Sequence, residues 1–173
     1  MIREATEQDL QPIQDVCLDA FESDEREVVA KLAIDIIADE SSRPVVALVA
    51  EDDGAVVGMV IFSRVSIQEH SKTQCFILAP LAVSGASQRR GIGGLLIAEG
   101  MKRLREYGVE FVFVLGDPRY YTRHGFRADH GFIAPYPLEY PEAWMVRTVG
   151  DTAPAVDSGH IRCCRTLDVK ELW

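Results

Sequence analysis

Leu10, Ile13, Val16, Cys17, Ala20 and Phe21 recur at spacings of three and four, with Gln11, Gln14, Asp15 and Asp19 between them. This period belongs to a helix with one apolar face. A short strand over residues 2–5 precedes it, and Thr6-Glu7-Gln8-Asp9 has the hydroxyl-to-acid spacing of a helix-capping motif. Pro12 falls early enough in the first turn to be tolerated. Val28, Val29, Leu32, Ala33, Ile36 and Ile37 repeat the same spacing and predict a second helix ending near Ser41, ahead of Pro44.

From Val45 the pattern changes. Val45 to Ala50 and Ala55 to Phe62 are apolar, partly β-branched runs separated by Asp52-Asp53-Gly54, which predicts a β-hairpin. A polar loop is expected over Gln68 to Thr73, then a strand from Gln74 to Val83. Pro80 interrupts that strand. Lacking an N–H, it cannot join a regular ladder, so it marks an edge, a bulge or a place where the sheet opens. A helix follows from Gly91 to about Tyr107, with Ile97, Met101 and Leu104 on one face and Gly108 placed to stop it. Phe111 to Leu115 is unbroken and apolar, as in a strand covered on both sides. Strand, helix, strand implies a parallel pair joined by a right-handed crossover, with the loop over residues 84–94 at the strand end where α/β proteins bind ligands. Beyond a short helical turn from Asp117 to His124, closed by Gly125-Phe126, the pattern reads as further strands with Pro-rich connections.

Composition narrows this picture. With 173 residues, 47% hydrophobic and 26% charged, the chain is expected to form one domain, residues 1–173, around one core. No apolar run approaches the ~20 residues that cross a bilayer, and the polar start from Met1 to Leu10 does not read as a signal segment, so a cytoplasmic protein without a membrane partner is expected. The net charge of -9 disfavours nucleic acid. Cys17, Cys75, Cys163 and Cys164 read as reduced thiols, the adjacent pair pointing to opposite faces of a strand. His70, His124, His130 and His160 share no metal-ligand spacing, so no metal is expected. The acidic run Glu22 to Glu27 reads as a solvated helix start. Nothing in the sequence excludes a homodimer.

The chemistry concentrates in Gln88-Arg89-Arg90-Gly91-Ile92-Gly93-Gly94, between a strand and an amphipathic helix. Glycines let backbone N–H groups approach a ligand closely, and the helix start adds about half a positive charge, which together make an anion cradle. There is no Gly-Lys dipeptide, so the P-loop pattern fails, and Leu96 stands where a dinucleotide fingerprint needs its third glycine. What remains, Gln88-x-x-Gly91-x-Gly93, resembles the signature of the GNAT superfamily of N-acetyltransferases. The resemblance extends over residues 1–130: Arg3-Glu4-Ala5-Thr6 with Asp9-Leu10, the turn at Asp53-Gly54, the strand end Leu81-Ala82-Val83, and Tyr121-x-x-x-Gly125-Phe126. Leu115-Gly116-Asp117-Pro118 through Tyr120-Tyr121 and Gly125-Phe126 resembles a subgroup of predicted acetyltransferases, the YhbS-like proteins, more than it resembles histone or drug acetyltransferases.

The resemblance implies an α/β fold: a mixed, mostly antiparallel twisted sheet flanked by helices, with one parallel pair splayed around acetyl-CoA. It implies that Gln88, Arg89, Arg90, Gly91, Ile92, Gly93 and Gly94 hold the CoA pyrophosphate. It further implies that Leu81, Ala82 and Val83 pair with pantetheine as an added strand would. Moving acetyl from thioester to amine needs a neutral amine, a stabilised oxyanion and a proton for the thiolate, with no covalent enzyme intermediate. The family position four before the Gly-Phe glycine assigns that proton to Tyr121, with Tyr120 as competitor. No carboxylate lies on the 74–83 strand, and Asp117 is a base by position only. Gly116-Asp117-Pro118 also departs from the family's usual Asn spacing. The implied activity is acetyl transfer from acetyl-CoA to an amine that the sequence does not identify. A non-catalytic acyl-CoA-binding module and transfer of a longer acyl group stay open. Residues 21–43 and the loop over 64–73 are expected to select the acceptor.

Overall fold

The computed structural model describes residues 1–173. Strand β1 (Ile2–Glu4) leads through a 3-10 turn into helix α1 (Leu10–Ala20), which is followed by α2 (Arg26–Ala38). The entry to α1 is fixed by one carboxylate. Asp9 accepts from the Thr6 backbone N–H at 2.7 Å and from the Thr6 hydroxyl at 2.9 Å, and its two oxygens also take the Arg3 guanidinium at 2.7 and 2.8 Å. Those bonds, led by Arg3, hold the Asp9 carboxyl far below the usual carboxylate range despite its burial.

Strands β2 (Val45–Asp52) and β3 (Ala55–Ile67) form the expected hairpin. Asp53 and Gly54 both have positive φ, 49° and 78°, which is the two-residue turn that matches strand twist. β3 then turns into β4 (His70–Val83) at residues 68–69, so the loop predicted over 68–73 is instead a long hairpin. The β-branched and apolar residues Val65, Ile67 and Cys75 are buried and keep the ladder going where polar neighbours suggest a loop.

After helix α3 (Ile92–Glu106), β5 (Phe111–Leu115) runs parallel to β4 and antiparallel to β7 (Trp144–Thr148). The sheet order is β1-β2-β3-β4-β5-β7. The helical turn α4 (Pro118–Tyr121) follows β5, and β6 (Gly131–Ile133) pairs in parallel with β8 (Ser158–Arg162). β8 in turn joins the far end of β3 at Ser66 and Ile67, beyond the last β2 pair, Val45 with Ser63. This second parallel pair is an addition to the single one expected. Cys163 and Cys164 lie beyond the end of β8, not within a strand; both are free and both pack on the same core.

Alternation along the strands decides what covers each face. Met59 and Ile61 of β3, with Phe111 and Phe113 of β5, meet Ile13, Cys17, Ala33 and Ile36 of α1 and α2. Val60, Phe62 and Val112 meet Leu96, Ile97 and Leu104 of α3 on the other face. The result is the expected mixed α/β fold, an open and mostly antiparallel sheet with helices on both faces.

Candidate active site

β4 and β5 hydrogen-bond in register only at Cys75 with Phe111, Phe76 with Val112 and Ile77 with Phe113. β4 nevertheless continues for six residues beyond Ile77 and β5 for two beyond Phe113. The strands part where Pro80 approaches. On its other side β4 keeps pairing with β3, but the register slips between Val60–Leu81 and Phe62–Leu78. Pro80 therefore sits at a bulge and at the mouth of an opening, the two readings being parts of one feature. Leu81, Ala82 and Val83 form the edge that β5 leaves uncovered.

At the end of β4 the loop closes on itself. The Gln88 side-chain amide donates to the Val83 carbonyl at 3.0 Å, and the Gly85 N–H donates to Asp19 at 2.7 Å. Arg89 has φ of +61° and Gly91 φ of +82°, the turn that aims the start of α3 outward. An added Cβ at Gly91 would meet nothing within 4 Å, so this glycine serves backbone conformation. Gly93 is different: a Cβ there would lie 2.3 Å from the Tyr120 hydroxyl, so the helix start is closely covered. A Cβ at Gly94 would lie 2.9 Å from His124 Cε1. Ile92 is half-buried and packs into the α3 core, whereas Gln88, Arg89 and Arg90 are exposed. Arg90 reaches back to Asp52 at 2.8 Å. The first N–H groups of α3 have no intrahelical acceptor, which is the geometry that an anion at a helix start requires.

The adjacent tyrosines face different surroundings. Tyr120 lies against Gly93, with the His124 ring at 4.9 Å and the Arg123 guanidinium carbon 5.6 Å from its ring centre. Tyr121 lines a cavity of about 680 Å³ that begins at the opening between β4 and β5. Ser63 Oγ is the one fully buried side-chain polar atom without a partner. Tyr121 is on the wall of that cavity, and its hydroxyl bonds to no protein group. Burial, with a smaller effect from Tyr120, pushes the Tyr121 hydroxyl above the ordinary tyrosine value.

Asp117 also borders the cavity, but its carboxylate is occupied. It caps α4 by accepting the Arg119 N–H at 2.9 Å and pairs with the Arg119 guanidinium at 3.0 Å. Arg119 draws its pKa below the usual range, the wrong direction for a general base. Thus the positional candidate for the base is a helix cap. The remaining walls come from Phe21, Val28, Val29 and Leu32 on one side and Leu167, Leu172 and Trp173 on the other. Residues 64–73 do not line this cavity, whereas Phe21, Glu25, Val28, Val29 and Leu32 do. Sequence reasoning missed the C-terminal wall because Leu167 to Trp173 has no strand or helix period.

A parallel pair that parts beside a glycine-led helix start, with a tyrosine on the inner wall, defines a protein of the N-acetyltransferase fold. The Acetyltransferase (GNAT) family model matches residues 8–126, and the chain belongs to that family. It is 41% identical over 140 residues to the uncharacterized N-acetyltransferase YjhQ of Escherichia coli K12, covering 78% of this chain and 77% of that protein. It is 37% identical over 137 residues to YhbS of the same strain, covering 78% of each. The crystal structure of Escherichia coli YhbS in complex with CoA superposes with a TM-score of 0.87 and 31% identity, over 98% of this chain and 92% of that one. A GNAT family acetyltransferase from Brucella melitensis, in complex with acetyl-CoA, superposes with a TM-score of 0.74 and 29% identity over 97% of both chains.

Proposed function

We propose that this chain transfers an acetyl group from acetyl-CoA to a primary amine by direct attack in a ternary complex. The observation that carries the reading is the opening beyond Ile77, which is bordered by Leu81 of the uncovered β4 edge on one side and by Tyr121 on the other. CoA complexes of the similar proteins support the choice of cosubstrate. Acetyl-CoA supplies the activated acyl group. The N–H groups of Gly91 to Gly94, with Gln88, Arg89 and Arg90 around them, hold its pyrophosphate. The uncovered edge at Leu81, Ala82 and Val83 pairs with its pantetheine amides, as a peptide adds to a sheet edge.

Tyr121 acts as general acid. Its raised pKa keeps the proton in place until the thiolate departs, and burial raises the basicity of that thiolate in the same direction. Burial acts in the same direction on the thiols of the core, pushing Cys17 and Cys75 up to about 12. A thiolate released in a buried setting is therefore a better proton acceptor than a thiolate in water, where the thiol pKa is ~8.5. The test is calorimetric titration with acetyl-CoA followed by amine-dependent thiol release in the same preparation. Binding without release assigns a non-catalytic sensor; absence of binding overturns the reading.

A further inference from the structure

The walls of the cavity on the side away from the anion loop specify more than a space. Of the seventeen residues that line it, thirteen are hydrophobic and none is lysine, arginine or histidine. Its only side-chain carboxylates, Glu25 and Asp117, are on exposed residues. Val28 is 53% exposed although it belongs to an apolar stripe, because it faces this opening and not the core. The opposite wall is held in place: the Trp173 indole N–H donates to the Leu167 carbonyl at 2.8 Å, and its ring meets Trp144 at 5.6 Å.

We propose that the acceptor is a primary amine on an apolar alkyl or arylalkyl body without a carboxylate, seated between α2 and the segment from Leu167 to Trp173. This rests on the acetyl-transfer reading above. An acceptor carboxylate would be buried against walls with no cation to meet it, which is strongly unfavourable. A polyamine would bury a second ammonium, and a hydroxyl-rich amino sugar would leave its hydroxyls unpartnered. The Glu25 carboxylate at the rim attracts the ammonium ion, Asp117 being paired with Arg119, and the apolar interior then lowers its pKa toward the neutral form that attacks. That removes the need for a dedicated base, which neither strand end provides. In the balanced step the amine nitrogen forms a bond to the acetyl carbon and the C–S bond breaks. The ammonium gives up two protons: one leaves to solvent, and the other replaces the proton that Tyr121 passes to sulfur. The products are the amide, CoA thiol and one proton.

The test compares phenylethylamine, phenylalanine and spermidine as acceptors, with thiol release and calorimetric binding measured separately. Phenylethylamine is expected to exceed both others in kcat/KM by about 100-fold. Val28→Lys, at an exposed position that folding does not require, is expected to raise its KM by about 10-fold while the Kd for acetyl-CoA stays the same. Equal or better turnover of phenylalanine or spermidine, or an unchanged KM in Val28→Lys, overturns the acceptor class and leaves acetyl transfer standing. Binding of acetyl-CoA with no thiol release for any amine overturns acetyl transfer instead. Calorimetry then still decides the cavity: saturable binding of phenylethylamine in preference to phenylalanine supports it, and its absence overturns it.

Discussion

The two ends of the cleft are built in opposite ways. The anion loop is one contiguous stretch, Gln88 to Gly94, whose proposed work is done by backbone N–H groups held by a turn. The proposed acceptor wall is assembled from α2 and a C-terminal segment, where the proposed work falls to side chains whose position is set by tertiary contacts. A ligand common to a whole family can be read by the backbone, which tolerates changes of side chain. A ligand that differs between members has to be read by side chains. If that contrast is right, damage to the loop acts on acetyl-CoA, and damage to the wall acts on the amine.

The largest effect is expected from Gly93→Glu. The new side chain meets the Tyr120 hydroxyl and puts a negative charge where phosphate is proposed to bind. The Kd for acetyl-CoA should rise by about 1000-fold, consistent with several kcal/mol for a like-charge contact. Calorimetry measures the Kd, and circular dichroism checks that the variant is folded. Next in size is Tyr121→Phe, which keeps the ring against Gly116 but removes the proton. Its kcat should fall by about 100-fold with acetyl-CoA binding unchanged. Equal loss of binding in the two variants would merge the roles that the geometry separates. The same substitution at Tyr120, which faces the helix start, should leave kcat within a few-fold of the parent.

How much of this was legible follows the same division. The loop could be read because its signal is local: glycines, a strand before and a helix period after. Pro80 narrowed this stretch to an edge, a bulge or an opening, because a missing N–H breaks a ladder, and the structure has the bulge and the opening together. The β3–β4 hairpin was misjudged because Gln68, Glu69 and Ser71 are polar, while the strand continues through the buried Ile67 on one side and Cys75 on the other. Helical spacing told where α2 runs, but not that Val28, Val29 and Leu32 turn to a cavity while Ala33 and Ile36 turn to the core. Glu25 is the solvated helix start that the sequence suggested and also a rim residue; only tertiary structure reveals the second property.

Asp39 tests the wall. It accepts from the Ser41 N–H and hydroxyl at 2.8 and 2.7 Å, and from the Thr166 N–H and hydroxyl at 2.9 Å each, so it ties the end of α2 to the segment that carries Leu167. Burial would raise its pKa, but the donors from Ser41 and Thr166 together pull it well below the carboxylate range. Asp39→Ala should cost about 1–3 kcal/mol of stability. It should also raise the amine KM by about 10-fold while the acetyl-CoA Kd holds, the reverse of the Gly93→Glu result. The sign with pH follows from the depressed pKa. The contribution is complete above the unfolded carboxyl value of ~3.9 and is lost as pH falls through the lower folded value. Thermal melts from pH 6 downward should therefore converge for parent and variant only in strong acid.

The smallest effect is expected where composition alone would place a large one. Arg90 belongs to the basic pair of the loop, yet its guanidinium is engaged by Asp52 on the β2–β3 turn, with the two side chains 55% and 44% exposed. An exposed pair of this kind contributes about 0–1 kcal/mol and is screened by salt. Arg90→Ala should therefore weaken acetyl-CoA binding by no more than about 5-fold, with a shallower dependence on ionic strength and an unchanged melting temperature. Titrations at two salt concentrations measure both quantities. A loss approaching that of Gly93→Glu would mean that side-chain charge, and not the backbone of the turn, binds the phosphates. The contrast between the two ends of the cleft would then fail at the end where it is most clearly drawn.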